Sequence, residues 1–140
     1  MKRWYIVLSL LACLIFVSCG SNDPEYDFTN KDDVKAYTES YFADDSSVTV
    51  KSVSVNDDAE NPGSIIMVLN ITFNNENDAD LSKSASQASS DLFVQDIQDK
   101  ATTLDTIVTN IEIPHLNGSG KIEYSRHDGE FMIDDIRYSF

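Results

Sequence analysis

Cysteine is nearly missing from this chain. Its 140 residues include only Cys13 and Cys19, both near the N-terminus. The rest of the chain has no pair to join, which excludes the disulfide scaffolds of many small exported domains. Zinc sites need three or four ligands, and the only histidines, His115 and His127, lie in or beside turns without a second ligand at metal-binding spacing. We therefore predict no metal and no cofactor.

Basic residues are also scarce. Ten Lys and Arg stand against 24 Asp and Glu, so the formal net charge is −14. A nucleic-acid binder needs a basic surface for its phosphate contacts, so this function class is excluded. The same acidity keeps the chain away from anionic lipid unless an anchor holds it there. Acidity favours solubility, but it does not identify a partner.

The N-terminus has the layout of a secretory signal peptide. Lys2 and Arg3 precede an apolar run, residues 4–17, which is broken only by Ser9; small and polar residues begin at Ser18. A membrane-spanning helix needs about 20 apolar residues, whereas the hydrophobic region of a signal peptide has about 7–15. We expect the basic residues to stay in the cytoplasm and the rest of the chain to be exported.

The end of this run resembles a lipobox, the site at which bacterial lipoprotein precursors are cleaved. Residues 16–19 read Phe-Val-Ser-Cys, and only Phe16 departs from the usual pattern, in which leucine is common at this position. The resemblance implies that the sulfur of Cys19 receives a diacylglycerol and that cleavage before it removes residues 1–18. Two or more acyl chains hold a protein stably on a bilayer. The resemblance says nothing about activity.

A second match lies inside the same run. Residues 10–13, Leu-Leu-Ala-Cys, fit the lipobox pattern more closely, but cleavage before Cys13 would shorten the hydrophobic region and leave an apolar mature N-terminus. The polar residues begin around Cys19, so we predict lipid attachment at Cys19. A plain secretory signal and an uncleaved anchor are the alternatives.

Residues 19–29 are expected to form a flexible acidic tether, followed by one domain over residues 30–140. Asp23, Glu25 and Asp27 in the tether resemble a signal that directs some bacterial lipoproteins to the cell surface. The alternative is an ordinary solvated linker. Without Lys2 and Arg3 the mature chain has eight basic and 24 acidic residues, a net charge of −16.

Hydrophobic spacing predicts two helices. The first runs from about Lys31 to Ala43, with Thr29 or Asn30 as its N-cap. The second runs over residues 79–102 behind a cap at Asn77 or Asp78. Its apolar stripe is predicted to pack on a sheet, with the many serines on the exposed surface. The predicted buried positions are Leu81, Ala85, Ala88, Leu92, Phe93, Ile97, Ala101 and Leu104, and the predicted exposed ones include Ser82, Ser86 and Ser90.

Alternation predicts five strands. Val48 and Val50 differ in parity from Val53 and Val55, which indicates a bulge near residues 51–52. Residues 64–73 alternate most clearly, and residues 106–113, 121–126 and 131–138 follow, with an Asp-Gly hairpin turn before the last. We predict an α+β fold of order α-β-β-α-β-β-β, with an antiparallel sheet and both helices on one face.

No group of residues has the spacing of a catalytic or metal-binding motif. Residues 74–85 begin like a calcium loop but lack its glycine and final glutamate. Serines are abundant, yet no nucleophile-elbow motif accompanies them. Acidic residues that could bind a cation weakly are Asp57, Asp58, Glu60, Asp134 and Asp135.

The sequence therefore favours a membrane-anchored, non-catalytic module that binds an unknown protein or glycan partner. A small envelope hydrolase or accessory subunit is one alternative, and an immunity or exclusion lipoprotein is another. A cleft in which titratable groups share hydrogen bonds would favour the hydrolase.

Overall fold

A computed structural model describes residues 25–140. The predicted signal peptide, Cys19 and the first part of the tether lie outside the described residues. The regular elements, in chain order, are α1 (Lys31–Phe42), β1 (Val48–Asp57), β2 (Ile65–Phe73), α2 (Ala79–Gln98), β3 (Thr106–Ile113), β4 (Gly118–His127) and β5 (Glu130–Ser139), and a 3-10 turn (Pro114–Leu116) joins β3 to β4.

The five strands form one sheet in the order β1-β2-β3-β4-β5. The α+β class, the element order and the placement of both helices over one core are as predicted. The all-antiparallel sheet is wrong at one place, because β2 and β3 are parallel. The cause is α2, whose 20 residues span about 30 Å and return the chain to the end of the sheet where β2 began. The other three pairings are antiparallel.

Both outer strands contain a bulge. In β1, Val50 pairs with Ile71 and Ser52 with Asn70, so Lys51 has no partner in the register. This confirms the predicted bulge and puts all four valines of β1 on the core side. In β5, Asp134 is the residue without a register partner. This bulge brings Ile133 and Ile136 to the same face of the sheet.

Helix α1 packs on β1 and β2. The side chain of Asn30 caps it by accepting a hydrogen bond from the backbone N–H of Asp32 at 2.8 Å, as predicted. Val34 and Phe42 are buried. Thr38 is buried as well, and its hydroxyl donates to the carbonyl of Val34, so its burial leaves no donor unpaired.

Helix α2 packs on the sheet through a different face from the one predicted over its first three turns. Ser82, Ser86 and Ser90, here called the serine stripe, are completely buried, while the side chains of Leu81 and Leu92 are 58% and 60% exposed. Ala88, also predicted to be buried, is exposed, and Ala85 is only partly buried. Phe93, Ile97, Ala101 and Leu104 are buried as predicted, although the helix ends at Gln98 instead of near residue 102. The cap at Asp78 is also as predicted.

The serine stripe faces aromatic residues that need room beneath the helix. The hydroxyl of Ser86 lies 3.0 Å from that of Tyr138, and the hydroxyl of Ser90 lies 2.9 Å from that of Tyr124. Larger residues on the stripe would push the helix away from these rings. Serine side chains are small enough for this space, and their hydroxyls form hydrogen bonds with the tyrosine hydroxyls, which an apolar side chain could not form.

Two glycines on β4 make room for aromatic rings from the end of the chain. A Cβ at Gly120 would lie 2.5 Å from the ring of Tyr138, and one at Gly118 would lie 2.5 Å from the ring of Phe140. The two rings stack, with centroids 6.0 Å apart and planes 12° from parallel. Aromatic rings across from strand glycines restore packing that glycine alone lacks.

Residues 26–28, which the sequence analysis assigns to the tether, contact the domain. Phe28 packs against the core, and the rings of Tyr26 and Phe28 meet Tyr37 edge-on at centroid distances of 5.3 and 5.0 Å. Contact with the domain is therefore already made at Tyr26, the second of the described residues.

Candidate functional site

The face of the sheet opposite the helices is covered by no helix of residues 25–140; we call it the open face. The register aligns its side chains in rows that run across all five strands. One row contains only polar and basic residues: Ser52, Asn70, Asn110, Lys121 and Arg137. Because the core lies on the other side, this row is available for contact with a partner.

A shallow groove of about 390 Å³ follows this row. We call it the cationic groove, because Lys51, Lys121 and Arg137 line it and Glu112 is the one acidic residue in its lining. Residues 25–140 contain eight Lys and Arg against 23 Asp and Glu, a net charge of −15. Three of those eight basic residues thus meet at one place on an otherwise acidic domain.

Hydrogen bonds fix the uncharged half of the row. The side-chain nitrogen of Asn70 donates to the hydroxyl of Ser52 at 2.8 Å, and that of Asn110 donates to the side-chain oxygen of Asn70 at 2.8 Å. We call these three residues the amide ladder. The ladder crosses β1, β2 and β3 and holds both amides in one orientation, so they form a pre-arranged polar surface.

Each basic residue of the groove has an acidic neighbour. Lys51 Nζ lies 2.7 Å from Glu112 Oε2, Lys121 Nζ lies 3.3 Å from Glu123 Oε2, and Arg137 Nε lies 2.7 Å from Asp135 Oδ2. The side chains of Lys51 and Glu112 are 50% and 57% exposed, and that of Arg137 is 77% exposed. Exposed ion pairs contribute only about 0–1 kcal/mol. Another anion can therefore replace these carboxylates at little cost.

A Ser-His-Asp group lies elsewhere on the open face, at the β4–β5 hairpin. His127 Nε2 is 2.8 Å from Ser125 Oγ and 3.3 Å from Asp134 Oδ1, and the Ser125 hydroxyl also donates to Asp134. The Ser125 hydrogen bond and, to a smaller extent, His127 lower the pKa of Asp134. In a catalytic triad the serine and the acid contact opposite ring nitrogens, whereas here one nitrogen faces both. This arrangement does not activate Ser125.

A second group of titratable residues lies in a groove of about 220 Å³ between α2 and β5. The hydroxyl of Tyr124 contacts Asp91 Oδ1 at 2.7 Å. Burial is the main reason that the pKa of Tyr124 is raised well above its ordinary value, so the phenol stays protonated and remains a donor. The Tyr124 oxygen lies within hydrogen-bond distance of both Asp91 and Ser90, and its single proton can be donated to one of them at a time. These contacts attach α2 to the sheet.

The other acidic residues considered as cation ligands have different partners. Asp57 pairs with Lys31 at 3.0 Å, and the side chain of Asp58 accepts from the backbone of Glu60 and the amide of Asn61. Among residues 25–140, no group of three or more His, Cys, Asp and Glu has the geometry to hold a metal ion. His115, the other histidine, is exposed, and its Nε2 lies 2.6 Å from the carbonyl of Asn77.

The predicted attachment residue, Cys19, lies outside the described residues. No helix within residues 25–140 combines the length and apolar character that a membrane crossing needs.

Sequence reasoning did not identify the cationic groove. The signal was present, since Asn70 is the one residue of β2 that is neither apolar nor β-branched, and Asn110 is one of two such residues in β3, the other being Glu112. Bringing them side by side requires the parallel pairing of β2 with β3, which the antiparallel prediction did not contain.

Comparison of the chain with protein-family models, with curated proteins and with solved structures gave no match in any of the three. What can be said of its function therefore depends on the geometry of the domain.

Proposed function

We propose that this chain is an exported bacterial lipoprotein, held at a membrane by lipid on Cys19, and that its domain binds a partner without catalysis through the open face. The observation that carries the binding proposal is the cationic groove. It concentrates Lys51, Lys121 and Arg137 on the uncovered side of a sheet whose other side carries the core.

The rigidity of the groove supports this proposal. Its side chains come from strands, and the amide ladder fixes Asn70 and Asn110 before any partner arrives. A surface that is already ordered loses less conformational entropy on binding than a flexible loop does. Immunity and exclusion roles are forms of the same function, since such proteins act by occupying a partner.

The anchor is tested by Cys19→Ala, with Cys13→Ala as the matched control. We expect the Cys19 variant either to remain uncut or to leave the detergent phase in a phase-partition assay, while the control is processed and anchored like the native chain. Normal cleavage before residue 19 together with membrane attachment of Cys19→Ala would refute the anchor proposal.

The binding face is tested by cross-linking, using the fact that residues 25–140 contain no cysteine. Ser119 lies in the cationic groove and Ser84 is exposed on α2, so Ser119→Cys and Ser84→Cys make a matched pair. Each variant is labelled with a benzophenone maleimide and irradiated in native envelopes. We expect a discrete adduct from position 119 and none from position 84; equal adducts, or an adduct from position 84 alone, would contradict the proposed face.

A further inference from the structure

Resting on that proposed function, we propose that the occupant of the cationic groove is an extended acidic polypeptide segment whose carboxylates replace those of Glu112, Glu123 and Asp135. The sign of the charge is the first argument. The groove lining contains three basic residues and one acidic residue, in a domain whose net charge is −15. Anionic side chains thus find three of the eight basic residues of the described domain within one groove.

Long-range repulsion does not prevent this contact. Exposed charges more than about 8 Å apart are largely screened at physiological ionic strength. The acidic residues of the loops therefore act weakly on a ligand in the groove, whereas Lys121 and Arg137 would contact it directly. Exchange of one carboxylate partner for another leaves the number of ion pairs unchanged, and the displaced carboxylate stays close to the incoming one, so the gain must come from the directional hydrogen bonds of a bidentate contact with Arg137.

The spacing of the basic groups is the second argument. Lys121 and Arg137 are direct cross-strand neighbours on β4 and β5, and Lys51 reaches over β2 to Glu112 on β3. The three basic groups therefore spread over about two strand spacings, roughly 10 Å. In an extended chain, alternate side chains point the same way and are about 6.6 Å apart. Three acidic residues at alternate positions therefore cover about 13 Å, somewhat more than this spread, and the long side chains of Lys51 and Lys121 can make up the difference.

The remaining surface fits a polypeptide better than a sugar polymer. The amide ladder offers fixed hydrogen-bonding groups beside the basic residues, where the backbone of an extended segment would lie. The aromatic rings of β4 and β5 lie on the helix side, where Tyr124 and Tyr138 bond to α2 and Phe131 packs on the core. They are therefore not available for stacking on the open face.

The test uses a fluorescein-labelled peptide, Gly-Glu-Ser-Glu-Ser-Glu-Gly, its Gln-for-Glu counterpart and polygalacturonate. Anisotropy measures their binding to the native domain, to the double variant Lys121→Gln/Arg137→Gln and to the control Lys31→Gln/Lys35→Gln, which loses the same charge from α1. We expect the groove variant to bind the acidic peptide at least tenfold more weakly, the control to stay within twofold, and the Gln peptide not to bind. Thermal unfolding verifies that both variants are folded.

Three patterns of binding would overturn the inference. They are equal binding of the Gln peptide, equal loss in both double variants, and groove-dependent binding of polygalacturonate but not of the acidic peptide. No binding of the acidic peptide at millimolar concentration would also overturn it. If the position-119 adduct still forms in that case, only the chemistry of the partner is wrong; if the adduct is missing too, the proposed face fails.

Discussion

Ser90 on α2 and Thr109 on β3 are joined hydroxyl to hydroxyl at 2.9 Å, and both side chains are fully buried. The helix therefore contacts the sheet here through polar groups, while its leucines face solvent. In the usual amphipathic helix the leucines pack on the sheet and the serines face solvent. Here, replacing a serine should therefore reduce stability more than replacing a leucine does.

We expect Ser90→Leu to be strongly destabilising and Leu92→Ser to be nearly neutral. A leucine at position 90 overfills the space above Thr109 and Tyr124, which typically costs about 1–3 kcal/mol, and it also removes their hydroxyl partner. Leu92 is 60% exposed, so its replacement should change the unfolding free energy by no more than about 0.5 kcal/mol. Urea denaturation measures both. Equal destabilisation would show that the leucine face, not the serine stripe, packs on the sheet.

Arg126 should be the most important single cation for stability. It donates to the carbonyls of Leu104, Gln98 and Ala101, at and just beyond the C-terminal end of α2, at 2.8–3.2 Å. Its guanidinium also lies 4.3 Å from the ring centre of Phe131. Hydrogen bonds to charged groups contribute about 1.5–3 kcal/mol, so Arg126→Gln should cost at least about 2 kcal/mol in a denaturant titration.

Lysine at position 126 should restore little of this loss, because an ammonium cannot reach several carbonyls in the planar geometry of a guanidinium. Arg137→Gln removes the same charge from an exposed site and is the control; we expect it to change stability by less than about 0.5 kcal/mol. Full recovery by Arg126→Lys would mean that charge alone, not the forked contacts, stabilises this end of the helix.

Gly120→Ala should be destabilising for a steric reason. The added Cβ would lie 2.5 Å from Cε1 of Tyr138, so the ring must move away from Ser86. We expect a cost of about 1–3 kcal/mol. The cost should shrink in a Tyr138→Ala background, where no ring opposes the new methyl group. Thermal or urea unfolding of the four proteins in this cycle gives the coupling energy; strict additivity would exclude the ring as the cause.

The domain should lose stability above about pH 10 because of two tyrosines, of which Tyr124 is buried and Tyr138 is partly buried. Burial raises the pKa of Tyr124 and of Tyr138 above the ordinary value of 10.0. A group whose pKa is higher in the folded state stabilises the fold fully below its unfolded pKa, and this contribution disappears as the pH rises toward the folded pKa. The unfolding free energy should therefore decrease between pH 8 and pH 11.

Tyr124→Phe separates this effect from general alkaline damage. The variant should be less stable than the native domain at pH 8, because Asp91 and Ser90 lose a partner. It should also lose less stability between pH 8 and pH 11, because one of the raised phenols is gone. Parallel pH profiles for the two proteins would contradict the assigned role of Tyr124.

Local features of this fold could be predicted from the sequence, because a few neighbouring residues determine them. Strand alternation identified β2, the parity change in β1 identified its bulge, and the side chains of Asn30 and Asp78 identified two helix starts. The Asp-Gly turn also formed as predicted, with positive φ at both Asp128 and Gly129. Each of these depends on backbone preferences that act within one turn or one strand.

The packing face of α2 could not be predicted in the same way. Ser82, Ser86 and Ser90 are spaced by four and four residues, and Leu81, Ala85 and Ala88 by four and three. Both spacings place their residues on one face of a helix, so hydrophobicity alone favours the second set. The choice depends on Gly120 and on the rings of Tyr124 and Tyr138, which occupy the space above β4 and leave room only for small residues. The cationic groove depends on register between distant strands, and therefore also needed the structure.

The bulges at Lys51 and Asp134 bear on how copies of this domain behave together. Both free edges of the described sheet are interrupted, and a bulged, charged edge is a poor template for an added strand. If a lipid anchor confines many copies to one bilayer surface, their edges will meet often. The two irregularities then favour a two-dimensional layer of independent monomers over the growth of fibrils along the membrane.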